Sequence, residues 1–233
     1  MSASQGSTPR RHGPAFASVV LDVDSTLSGV EGINWLAERR GGDVAAWIPR
    51  LTEKAMTGEL SIAEVYAHRL QAVAPTRADL AALGDEYIRC AAPGARDAVA
   101  SMQGAGVRVE MVSGGLLPAV QALGAWLGVP ESQVHAVGIT FSSDGAYEAF
   151  DAESPLATPM GKPELLRVLR LPRPLLAVGD GITDVVMRTD GEADAFVAFT
   201  AYTHREIIMT HADYVMSSFA DVAELVLNGR AAR

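Results

Sequence analysis

The chain has 233 residues and a formal net charge of −9, and 48% of its residues are hydrophobic while 20% are charged. These values are typical of a globular protein with one large domain, or with a core domain that carries an insertion. The acidic balance argues against nucleic acid or an anionic membrane as a partner, because both require a basic face.

Residues 1–14 are rich in Ser, Gly, Pro and Arg, and we interpret them as a flexible tail. They lack the apolar stretch of a secretory signal, and no run of about 20 apolar residues predicts a spanning helix. Cys90 is the only cysteine, which is compatible with a reducing compartment. We therefore expect a cytoplasmic protein, as a monomer or a homodimer.

Predicted strands alternate with predicted helices along most of the chain. Continuous apolar runs typical of buried strands occur at 18–24, 107–113, 175–180, 195–199 and 213–216. Helical patterns lie between them at 93–104, with Pro93 at the first position, and at 115–128, 162–170 and 221–229. Residues 139–150, ITFSSDGAYEAF, read as a β-hairpin. The alternation predicts an α/β fold with a mostly parallel sheet and helices on both faces.

Residues 28–92 interrupt this alternation with several helical patterns and no convincing strand. Asp43 and Thr76 are candidate N-caps of two of these helices. We therefore expect a core domain formed by 15–27 and 93–233, and a helical insertion formed by 28–92.

Acidic and small polar residues follow the predicted strands. Asp22 and Asp24 follow the first strand, Ser113-Gly114-Gly115 the second, and Asp180 and Asp184 the strand at 175–180. The carboxyl ends of parallel strands meet at one edge of the sheet, where ligands bind. Four carboxylates at one edge would repel each other, so we expect a cation there, and oxygen donors suit Mg²⁺.

The same edge has the groups needed for phosphoryl transfer to a carboxylate. Lys162 and the Ser113-Gly114-Gly115 backbone would make a cationic, donor-rich pocket for a phosphoryl group. One aspartate could attack phosphorus, and a second could protonate the leaving oxygen. Thr183 could orient one of the acids. The expected partner is a small-molecule phosphomonoester.

Four short motifs carry a family resemblance. DVDST, VSGG, GKPELL and VGDGITD together resemble the haloacid dehalogenase superfamily of aspartyl-phosphate phosphatases. The longer stretches DVDSTLSGVEGINWLA and KAMTGELSIAEVYAHRL resemble its phosphoserine phosphatase family. This resemblance implies a Rossmann-like core with a helical cap inserted after strand 1, and hydrolysis of L-phosphoserine in serine biosynthesis.

The resemblance also implies roles at the reaction centre. Asp22 would be the nucleophile and Asp24 the general acid/base, while Ser113 and Lys162 would bind phosphate. Mg²⁺ would be held by a set of acidic residues: Asp22, the backbone carbonyl of Asp24, Asp180 and, in support, Asp184.

In the cap, the resemblance implies a site for a small zwitterion. Glu31 would bind the serine ammonium group, Arg69 would bind the carboxylate, and Met56 would pack nearby. The sequence departs from the family pattern at Thr57, at Ile62 and after Phe199, where a Gly-Gly pair is missing.

Two alternatives remain open at this stage. The same mechanism could act on another small phosphomonoester, as the departures in the cap suggest. The chain could instead be a receiver-like signalling module that holds phosphate on Asp22. Asp24, which would promote hydrolysis, and the long insertion both argue against a receiver.

Overall fold

A computed structural model describes residues 13–56 and 62–229, without the side chains at 49, 50, 52–56, 62 and 63. The strands in this part are β1 (Ser18–Leu21), β2 (Arg108–Leu116), β3 (Val134–Val137), β4 (Ile139–Phe141), β5 (Tyr147–Phe150), β6 (Leu175–Gly179), β7 (Ala195–Phe199) and β8 (Tyr214–Met216). The α-helices are α1 (Gly32–Arg40), α2 (Gly42–Met56), α3 (Ile62–Val73), α4 (Arg77–Arg89), α5 (Ala95–Gly104), α6 (Leu117–Leu127), α7 (Gly161–Leu169), α8 (Ile182–Thr189), α9 (Glu206–Met209) and α10 (Phe219–Asn228). Short 3₁₀ helices span Glu131–Gln133 and Pro155–Ala157.

The main sheet is parallel, and β1 lies at its centre. Its order is β3-β2-β1-β6-β7-β8, and Val19 of β1 pairs with Val109 on one side and Leu176 on the other. Strands β4 and β5 pair antiparallel as a separate hairpin, as predicted. The predicted α/β fold with a mostly parallel sheet is confirmed.

Two hydrophobic cores cover the two faces of this sheet. Val19 and Leu21 pack into one core with residues of α5, α6 and α10, whereas Val20 packs into the other with residues of α7, α8 and α9. Successive residues of a strand point to opposite faces, so a strand buried on both faces must be apolar throughout. The continuous apolar run of β1 follows from this burial.

The helices α1–α4 lie between β1 and β2 in the chain, and α4 packs along α6. Thr76 is the predicted N-cap of α4: its Oγ1 accepts a hydrogen bond from the Asp79 amide at 3.1 Å. The prediction for Asp43 was wrong, because this residue lies inside the first turn of α2, where an acid favours the positive end of the helix dipole.

Three further details differ from the sequence predictions. Strand β3 was not predicted, since its VHAV segment has only four residues and becomes a strand through its pairing with β2. Strand β2 continues through 113–115 to Leu116, with an irregular register after Val112. Helix α5 begins at Ala95 after Gly94, which has φ 76°, so Pro93 precedes the helix rather than opening it.

Every helix in the described part of the chain is too short or too polar to cross a bilayer.

Gly84 sets the close approach of α4 to α6. A Cβ atom added at Gly84 would lie 2.8 Å from the Cβ of Ala122, which is closer than real Cβ contacts allow. The contact therefore requires glycine on one of the two helices.

We predict that Gly84→Ala lowers the free energy of unfolding by about 1–2 kcal/mol, because overpacking outweighs the gain of about 1 kcal/mol in helix propensity. Urea denaturation measures the change. In the double variant Gly84→Ala/Ala122→Gly, the loss should be partly restored. Gly104→Ala is a control with no atom within 4 Å of the new Cβ, and it should be neutral or stabilising. A stabilised Gly84→Ala variant would contradict the prediction.

Candidate active site

The carboxyl-end edge of the sheet opens into a cavity of ≈ 300 Å³. It collects side chains from the carboxyl ends of β1, β2 and β6, from the start of α7, and from the helical segment between β1 and β2. Its lining includes most of the residues predicted from the sequence: Asp22, Asp24, Glu31, Arg69, Ser113, Gly114, Lys162, Asp180, Thr183 and Asp184. The topology therefore brings together groups that are up to 162 positions apart in the chain (184 − 22).

Lys162, in the first turn of α7, is the central cation of the site. Its Nζ donates to Oδ1 of Asp22 and to Oδ1 of Asp184, each at 2.6 Å, and only 5% of the residue is exposed. Burial, with the charge of Asp184 in addition, raises the pKa of Asp22 well above its ordinary value. Burial opposes the charged form of Lys162, but the two aspartates outweigh it and raise its pKa. The ammonium group thus stays charged and holds the two acids together.

Three buried carboxylates form a group that fits a metal ion. One oxygen each from Asp22, Asp180 and Asp184 lies within 4.8 Å of the others. Burial raises the pKa of Asp180, whose Oδ2 accepts hydrogen bonds at 2.8 Å from Thr203 Oγ1 and from Arg205. An all-oxygen, all-carboxylate donor set fits a hard divalent cation.

The carboxyl group of Asp24 is held apart from these three. Its Oδ1 accepts from the Tyr87 hydroxyl at 2.5 Å, and its Oδ2 accepts from the Gly32 amide at 3.3 Å. Burial, with the charge of Glu31 in addition, raises the pKa of Asp24 to about 7. A carboxyl group with this pKa can both give and accept a proton near neutral pH, as a general acid/base must.

The irregular end of β2 forms the opposite wall of the cavity. Ser113 is buried, and its Oγ accepts a hydrogen bond from the Gly115 amide at 2.9 Å. Gly114 lines the cavity, and its carbonyl accepts from the Tyr66 hydroxyl at 2.9 Å. Gly115 lies behind the cavity lining, where it orients Ser113. The structure therefore places the predicted Ser-Gly-Gly segment within β2 rather than in a turn after it.

Glu31 and Arg69 reach the cavity from the helical segment. Oε1 of Glu31 accepts from Ser25 Oγ at 2.6 Å, and Arg69 donates to Oδ1 of Asn34 at 2.6 Å. The Nε of Arg69 is buried and has no hydrogen-bond partner among the described residues. Burial lowers the pKa of Arg69, although nearby acids oppose this effect. Arg69 thus presents an unsatisfied donor beside the cavity.

The side chain of Met56 and all of Thr57 lie outside the described residues, as does the side chain of Ile62. The segment after Phe199, where Gly-Gly was missing, contacts Asp180 of the site and the loop that follows β1. Thr203 and Arg205 bind Asp180, and the ring of Tyr202 lies against Gly29, where an added Cβ would be 2.7 Å from it.

Sequence reasoning did not assign roles to Tyr66, Tyr87, Asn34 and Thr203. For Tyr87 a signal was available: its spacing from Leu80, Leu83 and Gly84 places it on the buried face of α4. A buried tyrosine hydroxyl requires a hydrogen-bond partner, but the sequence does not identify that partner.

Comparisons with known proteins identify the family of this chain. The model of the haloacid dehalogenase-like hydrolase family matches residues 19–188. Phosphoserine phosphatase from Mus musculus is 32% identical over 208 residues, which cover 88% of this chain and 91% of that protein. Phosphoserine phosphatase from Halobacterium salinarum is 34% identical over 206 residues, which cover 86% and 92%.

A solved structure shares the fold: a phosphoserine phosphohydrolase-like protein from Francisella tularensis superposes with a TM-score of 0.79 at 24% identity, over 90% of this chain and 99% of that one. Phosphatases of the family use a metal ion, and the three buried aspartates are suited to bind one. The two relatives, of 32% and 34% identity, are phosphoserine phosphatases. Together with the matched family model, they show that this chain belongs to the haloacid dehalogenase-like hydrolases.

Proposed function

We propose that this protein is a Mg²⁺-dependent phosphomonoesterase that hydrolyses L-phosphoserine to L-serine and phosphate through an aspartyl-phosphate on Asp22. The observation that carries the proposal is that one cavity is lined by two kinds of groups. Asp22, Asp24 and Lys162 suit phosphoryl transfer, and Glu31 and Arg69 suit a small zwitterion. The similarity to phosphoserine phosphatases supports the same substrate.

In the first step, a carboxylate oxygen of Asp22 forms a bond to phosphorus while the bond from phosphorus to the serine oxygen breaks. Asp24 gives its proton to the departing oxygen, so serine leaves as a neutral alcohol. The hydroxyl of Ser113 and the ammonium of Lys162 bind the phosphoryl oxygens. Lys162 already contacts Asp22 at 2.6 Å, so it holds the nucleophile beside the group that it attacks.

In the second step, water attacks phosphorus and gives a proton to Asp24, and the bond between phosphorus and Asp22 breaks. Asp24 thereby regains the proton that it donated, which suits a group with a pKa of about 7. Asp22, Asp180 and Asp184 would hold Mg²⁺, together with the backbone carbonyl of Asp24. When bound, Mg²⁺ supplies positive charge that offsets the repulsion between the carboxylates and the phosphoryl group.

Arg69 and Glu31 would select the amino acid part of the substrate. Among the described residues, the hydrogen-bond partner of Arg69 is the neutral amide of Asn34, and a charged guanidinium with such a partner can bind the carboxylate of a ligand. Glu31 supplies the complementary charge for an ammonium group. The helical segment 28–92 would act as a cap that excludes water, with α4, which packs on α6, as its fixed base. A cytoplasmic role in serine biosynthesis remains a prediction.

The proposal predicts Mg²⁺-dependent release of phosphate from L-phosphoserine. Phosphate release is measured with Mg²⁺, with EDTA, and with a panel of small phosphomonoesters that includes phosphoethanolamine and p-nitrophenyl phosphate. We expect the highest kcat/KM for L-phosphoserine and loss of activity with EDTA. High activity on another ester, with little on L-phosphoserine, would support the proposed mechanism but contradict the proposed substrate. A stable phosphoprotein without turnover would favour the receiver function.

We predict that Asp22→Asn abolishes turnover, because an amide cannot form the aspartyl-phosphate. The fold should persist, since Lys162 keeps its contact with Asp184 at 2.6 Å. Steady-state kinetics and thermal unfolding measure the two effects. Asp97→Asn, on the surface in the first turn of α5, is the matched control and should retain full activity. Substantial residual kcat in Asp22→Asn would refute the nucleophile assignment.

We predict that Arg69→Ala raises KM for phosphoserine by roughly tenfold to a hundredfold, the range expected from loss of a charge-assisted hydrogen bond. The KM for p-nitrophenyl phosphate, which has no carboxylate, should change little. The ratio of the two KM values is the measurement, and the second substrate serves as the internal control. Equal effects on both substrates would remove Arg69 from substrate recognition.

A further inference from the structure

The hydroxyl of Tyr87 contacts one oxygen of Asp24. Tyr87 is fully buried on α4, and its hydroxyl donates to Oδ1 of Asp24 at 2.5 Å. The two residues are 63 positions apart, and they come from the helical segment and the end of β1. A buried hydroxyl without a partner is costly, so this contact fixes both groups.

The glycine at position 32 leaves room for this hydroxyl. A Cβ added at Gly32 would lie 2.2 Å from the Tyr87 hydroxyl oxygen, whereas one added at Gly115 would lie 3.4 Å from it, an ordinary contact distance. Gly32 opens α1, and Gly115 belongs to the irregular end of β2. The amide of Gly32 also donates to Oδ2 of Asp24 at 3.3 Å. Both oxygens of the Asp24 carboxyl group are therefore held by donors from the helical segment.

The hydroxyl is also tied to the central sheet. Gly84, one turn before Tyr87, sits against Ala119 and Ala122 of α6, and α6 packs on β2 and β3. The packing of α4 on α6, and of α6 on β2, therefore fixes the position of the Tyr87 hydroxyl relative to Ser113, which lies on β2. A donor held by this packing can keep Asp24 in one orientation throughout a catalytic cycle.

We propose that Tyr87 is a positioning residue that orients the carboxyl group of Asp24 for proton transfer to the leaving oxygen. This inference rests on the proposed function and adds to it a residue that the sequence motifs do not contain. Tyr87 acts on the proton step, while Asp22 and Lys162 act on the phosphoryl group. Its loss must therefore affect substrates according to how strongly their leaving group requires a proton.

The test compares Tyr87→Phe with the wild-type protein on two substrates. An alkoxide such as that of serine requires protonation as it leaves, whereas p-nitrophenolate does not. Because general acid catalysis is typically worth about 10²–10⁴-fold, we expect kcat/KM for phosphoserine to fall by roughly 10–100-fold and kcat/KM for p-nitrophenyl phosphate by less than about threefold. Tyr214→Phe, on β8 at the far edge of the sheet, is the matched control and should leave both values unchanged.

A double-mutant cycle with Asp24→Asn separates positioning from a general structural role. If Tyr87 acts through Asp24, adding Tyr87→Phe to Asp24→Asn should change the residual kcat/KM for p-nitrophenyl phosphate and for phosphoserine by less than about twofold. Thermal unfolding of each variant establishes that it is folded.

An active wild-type protein whose Tyr87→Phe variant loses both activities equally, or neither, would overturn the inference and leave the proposed function standing. A further loss of similar size on adding Tyr87→Phe to Asp24→Asn would overturn it as well. A wild-type protein without Mg²⁺-dependent activity on either substrate would overturn the proposed function, and the inference with it.

Discussion

The ammonium group of Lys162, buried between Asp22 and Asp184, is the interaction on which the site depends. The segments that follow β1 and β6 bring together carboxylates that repel each other in a medium of low dielectric constant. Lys162 contacts two of them at 2.6 Å, and its positive charge offsets part of their repulsion. Removing Lys162 would leave the buried charges of Asp22 and Asp184 uncompensated, so this lysine links α7 to the end of β1 and to the first turn of α8.

Around this charged centre, the polar groups are arranged in separate sets of hydrogen bonds. Asp180 accepts from Thr203 and Arg205, which belong to the loop after β7, while Asp24 accepts from Tyr87 and Gly32. The two acids therefore have different surroundings at the same edge. The side chain of Asp180 belongs to the group that fits a metal ion, whereas that of Asp24 lies outside this group and suits the proton transfer that we propose for it. Different environments assign different roles to chemically identical side chains.

The helical segment contributes to the site at two levels. Helix α4 packs on α6, and it carries Tyr87 to Asp24. Helices α1 and α3 carry Glu31, Asn34 and Arg69, which line or border the cavity from the other side. One helix thus contacts the carboxyl group of Asp24, and two others contribute to the wall of the cavity. Small residues such as Gly84 permit the close packing of α4 on α6.

The sequence by itself determined the fold class and most of the charged residues at the cavity. The apolar run of β1 predicts a strand buried on both faces, and the acids after Leu21 and Gly179 are placed at one edge because parallel strands end there. Local patterns of this kind can be read from the sequence, because strand burial and strand direction determine residue types within a few consecutive positions. The same reasoning found Thr76 as a helix cap, but it placed Asp43 and Pro93 incorrectly by a residue or two, as capping depends on the actual first turn.

Only the tertiary structure decided which groups touch. The contacts of Tyr87 with Asp24, of Tyr66 with Gly114 and of Thr203 with Asp180 join residues 23 to 63 positions apart. Each depends on how elements pack, that of Tyr87 also depends on the space left at Gly32, and none is encoded in a local periodicity. Strand β3 was missed for the same reason, because its pairing with β2 rather than its own four residues makes it a strand. Three-dimensional packing determines which groups form hydrogen bonds with each other, whereas the residue types at strand ends can be read from the sequence.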